Sequence, residues 1–135
     1  MTTKIYSRLD PTKLLHMIVR EIPEGRTNLC PDEQFLQCAA LRLPKGTTFR
    51  PHRHNWNPVN ESQIHQESWA VIKGSVRVVF YDLNDEIIEV AILEEGDITF
   101  SFEAGHTYTI LTDDSLILEY KTGKYHGVEH DKTFI

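Results

Sequence analysis

His52 and His54, in the run Phe49-Arg50-Pro51-His52-Arg53-His54, are the residues of this chain best placed to do chemistry. Thr47, Thr48 and Phe49 favour an extended backbone, and Pro51 excludes a helix there. Residues two apart on a strand point to one face, so the two imidazoles leave the backbone together and can share one small cation. Neutral imidazole is the commonest nitrogen ligand for divalent transition metals. Further along, Glu67 opens a strand-like run that closes at Gly74, and His106 follows Gly105. Two histidines, a carboxylate and a third histidine make a four-ligand set that suits Fe(II), Mn(II), Zn(II), Ni(II) or Co(II). No thiolate is near, so Cu(I) fits poorly. The cofactor expected is therefore one divalent transition metal, with room left on it for water or substrate. An open position lets such an ion polarise a carbonyl or lower the pKa of bound water.

An isolated His-x-His pair is also what two surface histidines at the end of a strand look like. The surroundings add to it. Ser68-Trp69-Ala70-Val71-Ile72-Lys73 is rich in strand formers and Gly74 suits the turn that ends it. Gly96-Asp97 opens another strand, Ile98 to Phe102, and Ala104-Gly105 turns into His106.

Taken together, His52-x-His54, Glu67, six residues and Gly74, then Gly96 and His106, resemble the two-motif signature of the cupin superfamily over roughly residues 40 to 120. Arg26-Thr-Asn28, Glu119-Tyr-Lys-Thr-Gly-Lys-Tyr125 and Asp131-Lys132-Thr133-Phe134 resemble the small WbuC-type cupin metalloproteins, whose genes often sit among those for bacterial surface polysaccharides. The resemblance implies an all-β double-stranded β-helix (a jelly-roll barrel), a metal held by the four ligands, and a homodimer. The chain departs from the pattern twice. Twelve residues, Asn55 to Gln66, separate His54 from Glu67, where cupins usually have three or four. The polar, turn-rich stretch from Asn55 to Glu61 reads as a loop at the barrel mouth. The usual Pro-x-Gly-x-x-His is also absent, and a gapless count from Gly105 puts Tyr108 in the ligand slot. His106 and Tyr108 share a face if the strand has begun. Imidazole being the commoner ligand, His106 is the expected fourth ligand and Tyr108 a pocket hydroxyl.

Strand parity names the pocket. Arg50 shares the face of His52 and is a candidate clamp for a carboxylate or phosphate, or else a rim salt bridge. Arg53 points the other way, to solvent. Trp69 and Val71 share the face of Glu67 and supply apolar wall, Trp69 as core or as a platform for substrate. Glu61 on the loop, His65 and Tyr108 are the candidate proton-moving groups, and His65 is also an alternative to Glu67 on the metal. Glu119 and Lys121 read most simply as a structural salt bridge.

Length and composition fit one domain, residues 1–135, with a sizeable core. The hydrophobic fraction is 40% and the charged fraction 25%, ordinary for a globular chain. The net charge of −6 argues against general nucleic-acid affinity, which needs basic surface, but not against an anionic small molecule. No apolar run approaches a membrane span, the amino terminus lacks a secretory core, and Cys30 and Cys38 give no disulfide framework. A cytoplasmic location away from membranes follows as the expectation. No Gly-rich phosphate loop, Cys-x-x-Cys pair or nucleophile elbow is present.

Three zones position the site. In residues 1–30, Asp10-Pro11 reads as a helix start, with Leu14, Leu15, Ile18 and Val19 as its apolar stripe, His16 outside it, and Arg26 to Pro31 as a loop. Residues 39–120 carry short strands between turn signals, as a sandwich or barrel does. Residues 121–135 read as an irregular tail in which Tyr125 and Phe134 are anchors and His126 and His130 surface groups. Three functions remain. One is a metal-dependent enzyme acting on a sugar or sugar nucleotide, of isomerase or epimerase type. The others are an Fe(II)-dependent dioxygenase and a non-catalytic module binding a small molecule or metal.

Overall fold

The computed structural model describes residues 2–19, 21–55, 64–123 and 132–135, and every regular element among them is a strand. Strands β1 (Thr2–Tyr6) and β2 (Leu14–Val19) form a hairpin in a sheet of their own. Strands β5 (His52–His54), β7 (Val76–Tyr81), β8 (Ile87–Leu93), β10 (Gly105–Ile110) and β12 (Lys132–Phe134) form one five-stranded sheet, in the order β12-β5-β10-β7-β8. Strands β3 (Gly25–Asn28), β4 (Leu36–Leu43), β6 (Glu67–Lys73), β9 (Ile98–Ser101) and β11 (Ser115–Thr122) form the other, in the order β3-β4-β11-β6-β9. These are called below the histidine sheet and the glutamate sheet. From β4 to β7 and again from β8 to β12 the chain crosses between the layers at each step, as jelly-roll folds do. All pairings are antiparallel. The ladders leave β12, β8, β3 and β9 as sheet edges, so the architecture is a two-sheet β-sandwich.

The inner faces follow from period-two alternation. Glu67, Trp69 and Val71 are buried on β6, while Ser68 and Ala70 are half-buried and Ile72 is exposed. The apolar core gathers Leu41, Val71, Val76, Val78, Ile110 and Ile117. Burying each such side chain contributes about 1.5–3 kcal/mol against chain entropy. His52, His54, Glu67 and His106 extend the same inward faces as buried polar groups. Gly74, with φ of 94°, makes the β6–β7 turn. A Cβ there would run into the Ser115 and Thr112 hydroxyls, so both conformation and space require glycine.

Three expectations are corrected. Residues 14–19 are strand β2, paired with β1 from Thr2↔Val19 to Tyr6↔Leu14, and not a helix. Asp10 does begin a turn, but a hairpin turn: its Oδ1 accepts from the Thr12 backbone N–H (3.1 Å) and hydroxyl (2.6 Å), and the Lys13 N–H donates to the Asp10 carbonyl (3.0 Å). Arg26 lies on β3, not in a loop. The tail is only partly irregular, since β11 runs to Thr122 and β12 adds a strand beside β5. Glu61, Tyr125, His126 and His130 lie outside the described residues.

Candidate metal centre and its cavity

Neighbouring strands of the histidine sheet bring the three imidazoles together. His52 and His54 point inward from β5, and His106 on β10 stands directly opposite His52. The ring centroids lie 5.3 Å (His52–His54), 5.0 Å (His52–His106) and 5.7 Å (His54–His106) apart. Glu67 reaches them from the glutamate sheet: its Oε2 is 2.7 Å from His54 Nε2 and its Oε1 is 3.2 Å from His106 Nε2. All four residues are buried.

The outward nitrogens of His52 and His106 are occupied. His52 Nδ1–H donates to the Arg50 carbonyl (2.9 Å), which leaves the lone pair on Nε2. His106 Nδ1 pairs with Ser101 Oγ (2.8 Å), so Nε2 faces the cluster. Anchoring one ring nitrogen and presenting the other is how metal-ligating histidines are held. Among the described residues, the buried His106 Nε2 has no hydrogen-bond partner, a costly state for a polar atom. One donor atom from each of the four residues lies within 4.8 Å of the others. The donor set and the orphaned nitrogen both fit a divalent transition metal. The electrostatics agree. Burial, with Lys132 and the other histidines adding to it, pushes His52 down to about 4, so its ring is neutral near pH 7. Burial alone would raise Glu67, but the His106 and His54 imidazoles beside it outweigh that and hold the carboxylate well below its usual range.

His52 and Glu67 give onto a cavity of about 360 Å³. Trp69 and Tyr108 form one wall, stacked with centroids 3.8 Å apart and planes 4° from parallel. The Tyr108 hydroxyl pairs with Thr99 Oγ1 (2.9 Å), and burial pushes the phenol above its ordinary pKa, so it stays protonated. Trp69 Nε1–H donates to Glu119 Oε2 (3.0 Å). The other Glu119 oxygen accepts from Arg26 Nη2 (2.7 Å), and Arg26 Nε donates to Asn28 Oδ1 (3.2 Å). His65 also lines the cavity, with Nδ1–H donating to the Thr122 carbonyl (2.6 Å), which places its basic lone pair on Nε2.

The structure thus brings His52, His54, Glu67 and His106 to one centre and sets Tyr108, His65 and Trp69 around the adjoining space. It does not bring Arg50 there. Arg50 is exposed, its guanidinium 4.3 Å over the Phe134 ring, and it is not part of the cavity wall. Arg53 points outward as parity requires, and its Nη1 donates to both Asp85 carboxylate oxygens (2.9 and 2.7 Å). The sequence reading missed Arg26, Asn28 and Lys132 as cavity residues. The signal was there: Arg26 and Asn28 are two apart and so share a face of β3.

No protein-family model and no curated protein matches the chain in sequence. Solved structures match in shape. KdgF from a Halomonas species superposes with a TM-score of 0.58 at 19% identity, over 75% of this chain and 79% of that one. An oxalate decarboxylase from Bacillus subtilis matches with a TM-score of 0.62 at 18% identity, over 84% of this chain and 29% of the enzyme. The capsular polysaccharide assembling protein CapF from Staphylococcus aureus matches with a TM-score of 0.63 at 17% identity, over 87% and 34%. The chain has the cupin fold. It spans about a third of the length of the two larger proteins.

Proposed function

We propose that this protein is a metal-binding cupin that acts as a metal-dependent enzyme on a small sugar or sugar nucleotide, in an isomerase- or epimerase-type reaction. The observation that carries the reading is the buried cluster of His52, His54, Glu67 and His106 giving onto a cavity of monosaccharide size. These four residues would hold the ion. Bound there, it would polarise a carbonyl or activate water. The chain's own groups supply the rest. Trp69 and Tyr108 offer a flat wall to a sugar ring. Tyr108, kept protonated by burial, can donate a proton, and His65 carries a lone pair that can accept one. Glu61, outside the described residues, remains a candidate base. The description of CapF as a capsular polysaccharide assembling protein accords with a sugar-related role.

The chain is also proposed to work as a homodimer in the cytoplasm. Ile72, Ile98, Phe100 and Tyr120 are exposed on the outer face of the glutamate sheet, an apolar surface of the kind that pairs. The deciding experiment is metal analysis of the purified chain, then a turnover screen across sugar nucleotides. Turnover abolished by chelation and restored by one metal supports the reading. A fully metallated chain that retains a sugar unchanged and turns nothing over replaces it with a binding module. Activity that needs both Fe(II) and oxygen replaces it with a dioxygenase.

A further inference from the structure

Resting on that metal-site reading, we propose that the cavity holds its ligand by an oxyanion, a carboxylate or phosphate, gripped by Lys121 and Lys132 beside the four-residue cluster with Arg26 further along the wall.

Cross-strand register places the two lysines. Lys121 on β11 stands directly opposite Glu67 on β6. Lys132 on β12 stands directly opposite His54 on β5. Opposed residues of an antiparallel pair share a face with Cβ atoms about 5 Å apart. Each lysine therefore emerges beside a cluster residue, one from each layer, and both line the cavity. Arg26 lines it as well, with Glu119 and Asn28 fixing the plane of its guanidinium. Its Nε and Nη2 are engaged in those contacts, so Arg26 adds positive charge to the wall rather than a two-point clamp.

Charge decides the class of ligand. Among the described residues, the cavity wall carries Arg26, Lys121 and Lys132 against Asp32, Glu67 and Glu119, an even balance. A divalent ion held by the cluster would make the wall positive. The chain as a whole carries −6, so basic groups are concentrated here against the background. A volume of about 360 Å³, with the Trp69–Tyr108 stack on one side, takes a single sugar bearing one such group.

The test uses the full chain after metal reconstitution. Metal per chain is measured first, then calorimetric binding of glucuronate, glucose 1-phosphate and glucose. At least one charged sugar should bind about tenfold more tightly than glucose, as one charge-assisted contact does, and lose affinity as salt rises. Which of the two binds tells carboxylate from phosphate. Lys121→Gln and Lys132→Gln should each remove most of the preference with metal content unchanged, while Lys121→Arg and Lys132→Arg keep it and serve as folded controls. Metal-loaded protein that binds neither charged sugar, or binds glucose equally well, overturns this proposal alone. Glutamine variants that keep the preference overturn it too. A wild-type chain that takes up no metal overturns the metal reading along with it.

Discussion

His52 and His54 are separated by one residue, and that residue, Arg53, donates to Asp85 on the far side of the sheet. The alternation needs no long-range information, so the pair was legible from the sequence alone. Replacing either histidine with Ala should cut metal per chain sharply in elemental analysis, and wild-type-like content in both variants would refute the site. His106 and Tyr108 illustrate a finer distinction. Both point inward from β10, but the His106 nitrogen is orphaned at the cluster while the Tyr108 hydroxyl is engaged by Thr99. His106→Ala should lose metal and Tyr108→Phe should keep it; the reverse would make Tyr108 the ligand. Acid should act on the metal-free protein through the same residues. His52 titrates at about 4 in the fold and at 6.5 when unfolded, so between those values the unfolded chain binds more protons. Stability therefore falls as pH drops from 6.5 toward 4, by roughly 3 kcal/mol from this residue. Glu67, depressed in the fold, adds loss in the same direction as pH falls below its unfolded value. Urea midpoints across pH 4 to 7 that stay level would contradict this.

Strands and turns set what could be read at the next scale. The β6–β7 turn was legible because Gly74 follows a β-rich run, and its positive φ and crowded Cβ direction explain the residue. Gly74→Ala should cost about 2 kcal/mol in denaturant unfolding. The N-terminal hairpin was not legible. Leu14, Leu15, Ile18 and Val19 satisfy a helical stripe, and Asp10-Pro11 serves a helix start or a turn equally well; pairing with β1 decided it. A run this short cannot be assigned by periodicity. Reading residues 26–31 as a loop had a larger consequence, because it hid the inward alternation of Arg26 and Asn28. Glu119 is a salt-bridge partner, to Arg26, and it also accepts from the Trp69 indole, so it ties β3 to β6 across the order β3-β4-β11-β6. Glu119→Ala leaves a buried indole N–H without its acceptor and should destabilise by about 2 kcal/mol. A smaller loss than that of a surface carboxylate variant would remove Glu119 from this role.

At the scale of the molecule, the sandwich has a use for each end of its inner faces: aliphatic packing where Val76, Ile110 and Ile117 meet, and polar groups where β5, β6, β10 and β12 converge. Motif spacing made the sandwich legible. The lysines flanking the cluster were not, because the register between β11 and β6, or β12 and β5, depends on pairings between segments far apart in sequence. The proposed homodimer is checked by light scattering, with twice the 15.6 kDa of one chain as the expected mass. Three of the clustered side chains belong to one layer of the sandwich and the fourth to the other. An ion among them would act as a rivet through both plates. Heat resistance would then track the free concentration of that ion, rising with its logarithm once the site begins to fill. A melting temperature indifferent to chelator would mean that the plates hold together without a fastener.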